Sequence, residues 1–563
     1  MFPIRVFVCW ILGLSLLHAA QPNLPLKHLE LFNYDFFTQC DTYPPILYGQ
    51  DFDFAADFPI PGSNLAASVA GGLRTEGRWF VDPSGRKVLL RGVNSSRRKL
   101  EDLELLQKWG FNLIRVVLYW DDYETADGVF DESYLDGLVT YLDAARDRGL
   151  YVILDLHQWF LSSAFGFRWG IGLPEHLFEG YPDELGGFQD ALTDFWQDRE
   201  LHRAIGRLWQ RVIGRLGRRE EIIAYDLFNE PNPLPHWYRG STYFNREILV
   251  PFYRTLIKAI REVDAETTIC YEPPTSDQYL DIEEIDPARL GDPKLCYLPH
   301  HYTLHHEDNL PDIPLRAGPL DLGKLEPEEW RNGYCGPRRA FQRDLGESLR
   351  MADLFELPVL IGEWGVLDSR TNTQKYLADM LDTQDEYQLG SAIWSFGSAG
   401  RSLDLLGRDG VPRSNTLTAL VRPFPRRIAG LPERYGYAVR TRTFTLTYQT
   451  EGATGTTELY LPTQLIYTAG YVLDLTIDAG QPPSTSFDAS RNLLSLIHRE
   501  DAQRIELRVT PTSPLPGEES SGYYDGDIAR RGCLCPSTSS PDPTLIPMGL
   551  LALLLVAFRR RST

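Results

Sequence analysis

Cysteine is scarce in this chain and badly spaced for metal binding. Seven occur in 563 residues, and no C-x-x-C pair or cysteine–histidine cluster has the spacing of a zinc site. Cys9 sits in an N-terminal apolar run, Cys533 and Cys535 lie near the far end, and Cys40, Cys270, Cys296 and Cys335 stand in the body. That spacing is not the framework of a disulfide-stapled mini-domain, and it leaves the pairing open. His300-His301 and His305-His306-Glu307 also lack the ligand spacing of a known zinc motif. No metal and no organic cofactor is expected. Basic residues are in deficit too: 56 Lys+Arg against 77 Asp+Glu give 56 − 77 = −21, which argues against nucleic acid or another polyanion as partner. The run at 545–558 is nearly all apolar, yet shorter than the ~20 residues a spanning helix normally needs.

What is present sorts into segments. Arg5, the apolar run Val6 to Leu17 and the small pair Ala19-Ala20 read as a secretory signal over residues 1–20. An N-terminal extension covers 21–70, a catalytic barrel 71–422 and a β-sandwich 423–512. A Pro/Ser/Gly-rich linker with the cysteine pair covers 513–544, and 545–563 hold the apolar segment and the tail Arg559-Arg560-Arg561. Terminal arginines hold such an end on the cytoplasmic side. Gly532-Cys533-Leu534-Cys535, a short apolar helix and a basic end resemble the C-terminal sorting tails of some Gram-negative bacteria. The expected location is therefore outside the cell, secreted or anchored at its surface.

Eight strand-like runs fall between Val88 and Trp394: Val88-Leu89-Leu90, Leu113 to Leu118, Tyr151 to Leu156, Ile222 to Phe228, Thr268 to Tyr271, Leu295 to Leu298, Val359 to Ile361 and Ser391 to Trp394. Helix-length amphipathic stretches such as Leu135 to Arg148 and His202 to Leu216 lie between most of them. Such alternation predicts an α/β fold, a (β/α)8 TIM barrel, whose active residues sit at the carboxyl ends of the strands. Those ends carry Asn94, Trp120, His157, Asn229-Glu230, Glu272, His300 to Tyr302, Glu363 and Trp394. Beyond Arg422, short runs rich in Thr, Tyr, Val and Leu predict a C-terminal antiparallel β-sandwich, more simply a passive domain packed on the barrel than a binding module.

Two strand ends carry the chemistry. Ile222-Ile223-Ala224-Tyr225 runs into Asp226-Leu227-Phe228-Asn229-Glu230-Pro231, and Val359-Leu360-Ile361 runs into Gly362-Glu363-Trp364-Gly365. Glycosidic cleavage needs a proton for the leaving oxygen and, in retaining enzymes, a carboxylate across the anomeric carbon about 5–5.5 Å away. Glu230, after an amide and before proline, is the expected acid/base, and Glu363 the expected nucleophile. Glu272 in Tyr271-Glu272-Pro273-Pro274 is the competing carboxylate, read as supporting or substrate-binding.

Together with Arg115 in Asn112-Leu-Ile-Arg-Val, His157 in Leu154-Asp-Leu-His, His300, Tyr302 and Trp394 in Ala392-Ile-Trp-Ser, these residues resemble glycoside hydrolase family 5. The resemblance implies that Arg115 supports the nucleophile, that His157 and Asn229 contact the sugar beside the scissile bond, and that Tyr302 steadies Glu363. It places His300 near the acid/base and Trp394 beneath that sugar. A narrower likeness is to the endoglycoceramidases, which cut between oligosaccharide and ceramide. It rests on Gly92-Val-Asn, Gly149-Leu-Tyr-Val-Ile-Leu-Asp-Leu-His-Gln, Gly172-Leu-Pro, Tyr225-Asp-Leu-Phe-Asn-Glu-Pro and the junction Arg422-Pro-Phe-Pro-Arg-Arg-Ile-Ala-Gly. The likeness departs at Trp159, where those enzymes carry an acid that helps bind the first sugar.

A glycolipid substrate and contact with a membrane surface are the expected partners. The apolar stretch with Trp159, Phe160, Phe165, Phe167, Trp169, Ile171, Leu173 and Leu177-Phe178, and Trp237 beyond the acid/base, suit either a lipid-facing mouth or a loop packed on itself. A β-glucanase, mannanase or steryl-β-glucosidase on the same machinery is the rival enzyme. A silent glycan- or lipid-binding surface protein is the rival of another class.

Overall fold

The computed structural model describes residues 44–513, apart from 49–50, 62–64, 166–169, 184, 240, 275–284, 303–313, 318–319, 325–337, 367, 369–371, 398–402, 451–454 and 500–502. The signal, linker and tail segments, with Cys40 and Cys335, lie outside the described residues. Among the described residues no helix is long and apolar enough to cross a membrane.

Eight parallel strands form the catalytic barrel. They are Arg91–Ser95, Leu113–Leu118, Tyr151–Leu156, Ile222–Asp226, Thr268–Tyr271, Leu295–Tyr297, Leu360–Ile361 and Gly390–Ile393. In space they run sixth, fifth, fourth, third, second, first, eighth, seventh. A bridge between Tyr297 and Val359 closes the ring, and just above it His300–His301 pairs in parallel with Glu363–Trp364. The second and third strands are buried at every position, as expected where helices cover one face and the barrel interior the other. Ile114, Val116 and Leu154 belong to the large core, whereas Leu113, Ile153, Ile223, Cys270 and Leu360 fall in a separate cluster. Cys270 and Cys296 are register partners on neighbouring strands, and both are buried free thiols.

The outer helices start where the sequence supplies a cap. Asp131 accepts from Ser133 N ahead of Glu132–Asp147. Asp198 accepts from Glu200 N and Leu201 N ahead of Arg199–Leu216, and Gly217, at φ 65°, ends that helix. Ile205, Leu208, Trp209, Val212 and Ile213 form its buried stripe.

The first barrel strand corrects the sequence reading. Val88-Leu89-Leu90 is not a barrel strand; Lys87–Val88 pairs antiparallel with Arg427 and Ile428 of the second domain. The true strand, Arg91–Ser95, is disguised by polar residues. Arg91 is buried because Asp385 and the Phe424 ring, 4.7 Å from its guanidinium carbon, receive it.

The second domain is an antiparallel two-sheet structure. One sheet orders Arg74–Glu76, Trp79–Val81, Lys87–Val88, Phe424–Ile428, Gly455–Tyr460, Leu493–His498 and Ser484–Asp488. The other orders Leu431–Ala438, Thr443–Gln449, Arg504–Pro511 and Tyr471–Ile477. Three strands thus come from ahead of the barrel, within the segment the sequence reading gave to the barrel. Tyr460 ties the two parts: its hydroxyl donates to Lys108 O at 2.8 Å, and its ring lies where a Cβ on Gly110 would stand, 2.4 Å away.

Candidate active site

Arg115 is the hub of the site. It leaves the second strand fully buried and donates to five acceptors. Nε reaches Asp226 at 2.9 Å, Nη1 reaches Asn94 at 2.9 Å and Glu363 Oε1 at 2.8 Å, and Nη2 reaches Asn229 at 2.7 Å and Glu272 Oε1 at 2.9 Å. Asp155 Oδ1 adds a contact at 3.1 Å. A charge this deep persists only when carboxylates and hydrogen bonds replace its water. Burial alone would depress the guanidinium pKa, but Asp155, Asp226, Glu363 and Glu272 outweigh it and raise it well above the ordinary value. Asn94 also donates to Gly362 O at 2.9 Å and Ala392 O at 3.0 Å, joining the first, seventh and eighth strand ends.

Glu363 is gripped on both oxygens. Oε1 takes the Arg115 bond, and Oε2 accepts from the Tyr302 hydroxyl at 2.9 Å. Burial, then the Glu363 and Glu230 charges, push the Tyr302 phenol far up, so it acts as a donor.

Glu230 lies just past the fourth strand at φ 45°, in the left-handed region that a side chain rarely adopts. Two groups hold it there. Its N–H donates to Glu272 Oε2 at 2.8 Å, and Gln158 Nε2 donates to Asn229 O at 2.7 Å and Glu230 O at 3.2 Å. Asn229 returns a bond to Gln158 O at 3.0 Å.

His300 stands between the carboxylates. Its Nδ1 is 2.8 Å from Glu230 Oε1 and 3.6 Å from Glu363 Oε2, and its Nε2 is 3.3 Å from Glu272 Oε1. Burial pulls the imidazole pKa down, but Glu272, Glu363 and Glu230 together raise it well above the ordinary value. His157 behaves oppositely. Burial takes it down to about 4, so the ring is neutral at pH 7. Its Nδ1 is 2.7 Å from Asp155 Oδ2, which puts the proton on Nδ1 and leaves Nε2 as acceptor. Trp394, half-buried, stacks on His157 with centroids 5.2 Å apart and planes 12° apart.

Glu230, His300 and Glu363 each present an atom within 4.8 Å of the others. Oxygens of the two glutamates are therefore closer than the 6.5–9.5 Å, in order of magnitude, that an inverting pair leaves for water. Asp155, Asp226 and Glu272 form a second such group, around Arg115. The fold thus gathers Arg115, His157, Asn229, Glu230, His300, Tyr302, Glu363 and Trp394 at one end of the barrel. The sequence places Asn94 at a strand end without a specific role and assigns none to Asp155, Gln158 or Asp226. The signal for the two aspartates was a lone charge inside an apolar strand, at register-paired positions.

The apolar loop divides. Phe165, Leu173 and Phe178 are buried, with Phe165 packed edge-on against Phe178 and Phe188. They are core rather than lipid-facing, because the loop folds back where Trp159 and Ile171 exchange backbone bonds of 3.0 Å. Trp159 and Phe160 stay half-buried and meet edge-on at 4.8 Å. Phe167, Trp169 and the side chain of Trp237 lie outside the described residues.

Comparison with known proteins turns this geometry into a family. The pattern described as cellulase, glycosyl hydrolase family 5, matches residues 81–400. The chain belongs to glycosyl hydrolase family 5. The family 5 C-terminal domain follows at residues 422–510. Endoglycoceramidase I of Rhodococcus hoagii is 28% identical in an alignment of 451 residues that covers 73% of this chain and 83% of that protein. An endoglycoceramidase of Hydra vulgaris is 23% identical over 70% of this chain and 78% of its own. Among solved structures, the lactosyl-enzyme intermediate of endo-glycoceramidase II from Rhodococcus sp. superposes with a TM-score of 0.61 at 22% identity. It covers 77% of this family 5 chain and all of the other.

Proposed function

We propose that the protein is a retaining endo-β-glycosidase that hydrolyses the linkage between glycan and ceramide in glycosphingolipids. The single observation that carries the retaining chemistry is the Glu230–Glu363 approach within 4.8 Å, with His300 against both. The endoglycoceramidases among the relatives, matched over 73% and 70% of this chain, support the substrate class.

Glu363 Oε2 attacks the anomeric carbon while Glu230 delivers a proton to the leaving oxygen, and a glycosyl-enzyme forms. Arg115 and Tyr302 hold the nucleophile in line. Forming the ester removes the negative charge of Glu363, so Glu230 then accepts a proton from water as the water oxygen attacks the same carbon. His157 Nε2 and Asn229 face the sugar beside the scissile bond, Trp394 forms its platform, and the half-buried pair Trp159 and Phe160 lines the mouth. The segments at 1–20 and 545–563 support export and retention at the cell surface, close to lipid.

Incubation with a panel of glycosylceramides tests the reading. Intact ceramide beside a released oligosaccharide is expected. Hydrolysis of soluble β-glucans with untouched glycolipids would assign the barrel to a polysaccharide instead.

A further inference from the structure

Glu272 follows the fifth strand, is 2% exposed, and takes no direct part in the displacement just described. Its two oxygens are nonetheless divided between the two things an acid/base needs. Oε2 accepts the Glu230 N–H at 2.8 Å, fixing the backbone that carries the acid. Oε1 lies 2.9 Å from Arg115 Nη2 and 3.3 Å from His300 Nε2. The far edge of the same imidazole is 2.8 Å from Glu230 Oε1. One carboxylate thus touches the acid/base through its main chain and, across a histidine ring, through its side chain.

We infer that Glu272 is the positioning residue of the acid/base, fixing the main chain of Glu230 and holding, through His300, the proton that Glu230 delivers. The inference rests on Glu230 being the acid/base. Glu230 from the fourth strand, Glu272 from the fifth, Glu363 from the seventh and Arg115 from the second face His300, with Asp155, Asp226 and His157 behind them. Glu230 Oε1 and His300 Nδ1, 2.8 Å apart, share the proton to be delivered. As the bond from the anomeric carbon to Glu363 forms and the bond to the leaving oxygen breaks, that proton passes to the leaving oxygen. Water then bonds to the anomeric carbon, the Glu363 ester breaks, and the water proton returns to the pair. No co-reactant beyond water is needed. Burial pushes the Glu272 carboxyl pKa well up, against the His300 and Arg115 charges, but Arg115 Nη2 and the Glu230 N–H donate to its two oxygens. The carboxylate they hold favours the proton on the pair, so its removal lets that proton leave at lower pH.

The test compares wild type, Glu272→Gln and Glu230→Gln on a glycosphingolipid and on the glycosyl fluoride of the same glycan, whose leaving group needs no proton. For Glu272→Gln, kcat/KM on the glycolipid should fall about 100-fold and on the fluoride less than about 3-fold. The basic limb of its pH profile should move about one unit to lower pH. Equal losses on both substrates with an unmoved profile would overturn the inference. Glu230→Gln separates the two readings. If it shows the same leaving-group dependence and Glu272→Gln does not, only the role of Glu272 fails; if Glu230→Gln shows none, the acid/base assignment itself fails. Should Glu272→Gln not fold, the nitrogen-15 shifts of His300 in the wild-type enzyme decide. Ring shifts that change together with the basic limb of the activity profile are expected, and shifts that stay unchanged across that limb would overturn the proposal.

Discussion

His300 and Glu363 are register partners on adjacent parallel strand ends, and the ring of one reaches the carboxylate of the other because the residue before Glu363 has no side chain. A Cβ on Gly362 would stand 2.8 Å from Leu298 Cγ and 3.1 Å from the His300 ring.

Gly362→Ala should therefore press on both Leu298 and the His300 ring and move His300 away from Glu230. Crowding of this kind costs about 1–3 kcal/mol of stability, while kcat/KM should fall about 10- to 100-fold as the general acid loses its partner. Steady-state kinetics alongside thermal melts checks this. Full activity would show that the His300 contact is idle.

Arg115→Lys keeps the charge and loses the fork. A lysine ammonium cannot serve Asp226, Asn94, Glu363, Asn229 and Glu272 together, so buried carboxylates are left unpaired. Breaking a buried pair costs about 3–5 kcal/mol. Denaturant unfolding should show a loss of that order, and a stability equal to wild type would deny Arg115 its place as hub.

His157 and Asp155 set opposite pH slopes. His157 is held down at about 4, below its ordinary 6.5, so its contribution to stability is present above 6.5 and lost as pH falls through 4. Asp155 is pushed by burial up to about 6 from its ordinary 3.8; its contribution is present below 3.8 and lost as pH rises through 6. Between pH 4 and 6 the two nearly cancel. Asp155→Asn removes one of them, so the variant should lose stability on acidification more steeply than wild type, by up to about 1.4 kcal/mol per pH unit. Denaturant melts at pH 4.5 and 6 measure the difference, and parallel curves would contradict it.

The barrel and the second domain should unfold together. Lys87–Val88, directly ahead of the first barrel strand, pairs with Phe424–Ile428, and Arg422 reaches Asp382 and Asp385 at 2.6 Å. A chain ended at residue 422 strips those strands and uncovers Gly110. Calorimetry should give one transition for the intact protein and no cooperative one for the truncated barrel. Two independent transitions would show separable domains.

The site was legible where chemistry coincides with a strand end. Asn229-Glu230-Pro231 and Gly362-Glu363-Trp364 announce themselves because an apolar run delivers a carboxyl to a barrel rim. The first strand was hidden because Arg91 and Asn94 are polar residues made tolerable by Asp385 and Arg115, partners that only folding brings near. Lys87–Val88 was misplaced for a related reason: its partner strand lies beyond the whole barrel sequence. Phe165 and Phe178 looked the same in sequence as Trp159 and Phe160, and only the fold-back at Ile171 divides core from mouth. Glu272 reads in sequence as a supporting or substrate-binding carboxylate, and only its contacts to Glu230 N and His300 show what it touches.

The central claim is that Glu363 becomes covalently glycosylated with Glu230 as its acid/base. Trapping with a 2-deoxy-2-fluoro glycoside followed by peptide mass spectrometry tests it most directly. One label per chain on Glu363 is predicted, removed by the Glu363→Gln substitution. A label on Glu272 or Glu230, or turnover by Glu363→Gln near the wild-type rate, would contradict it.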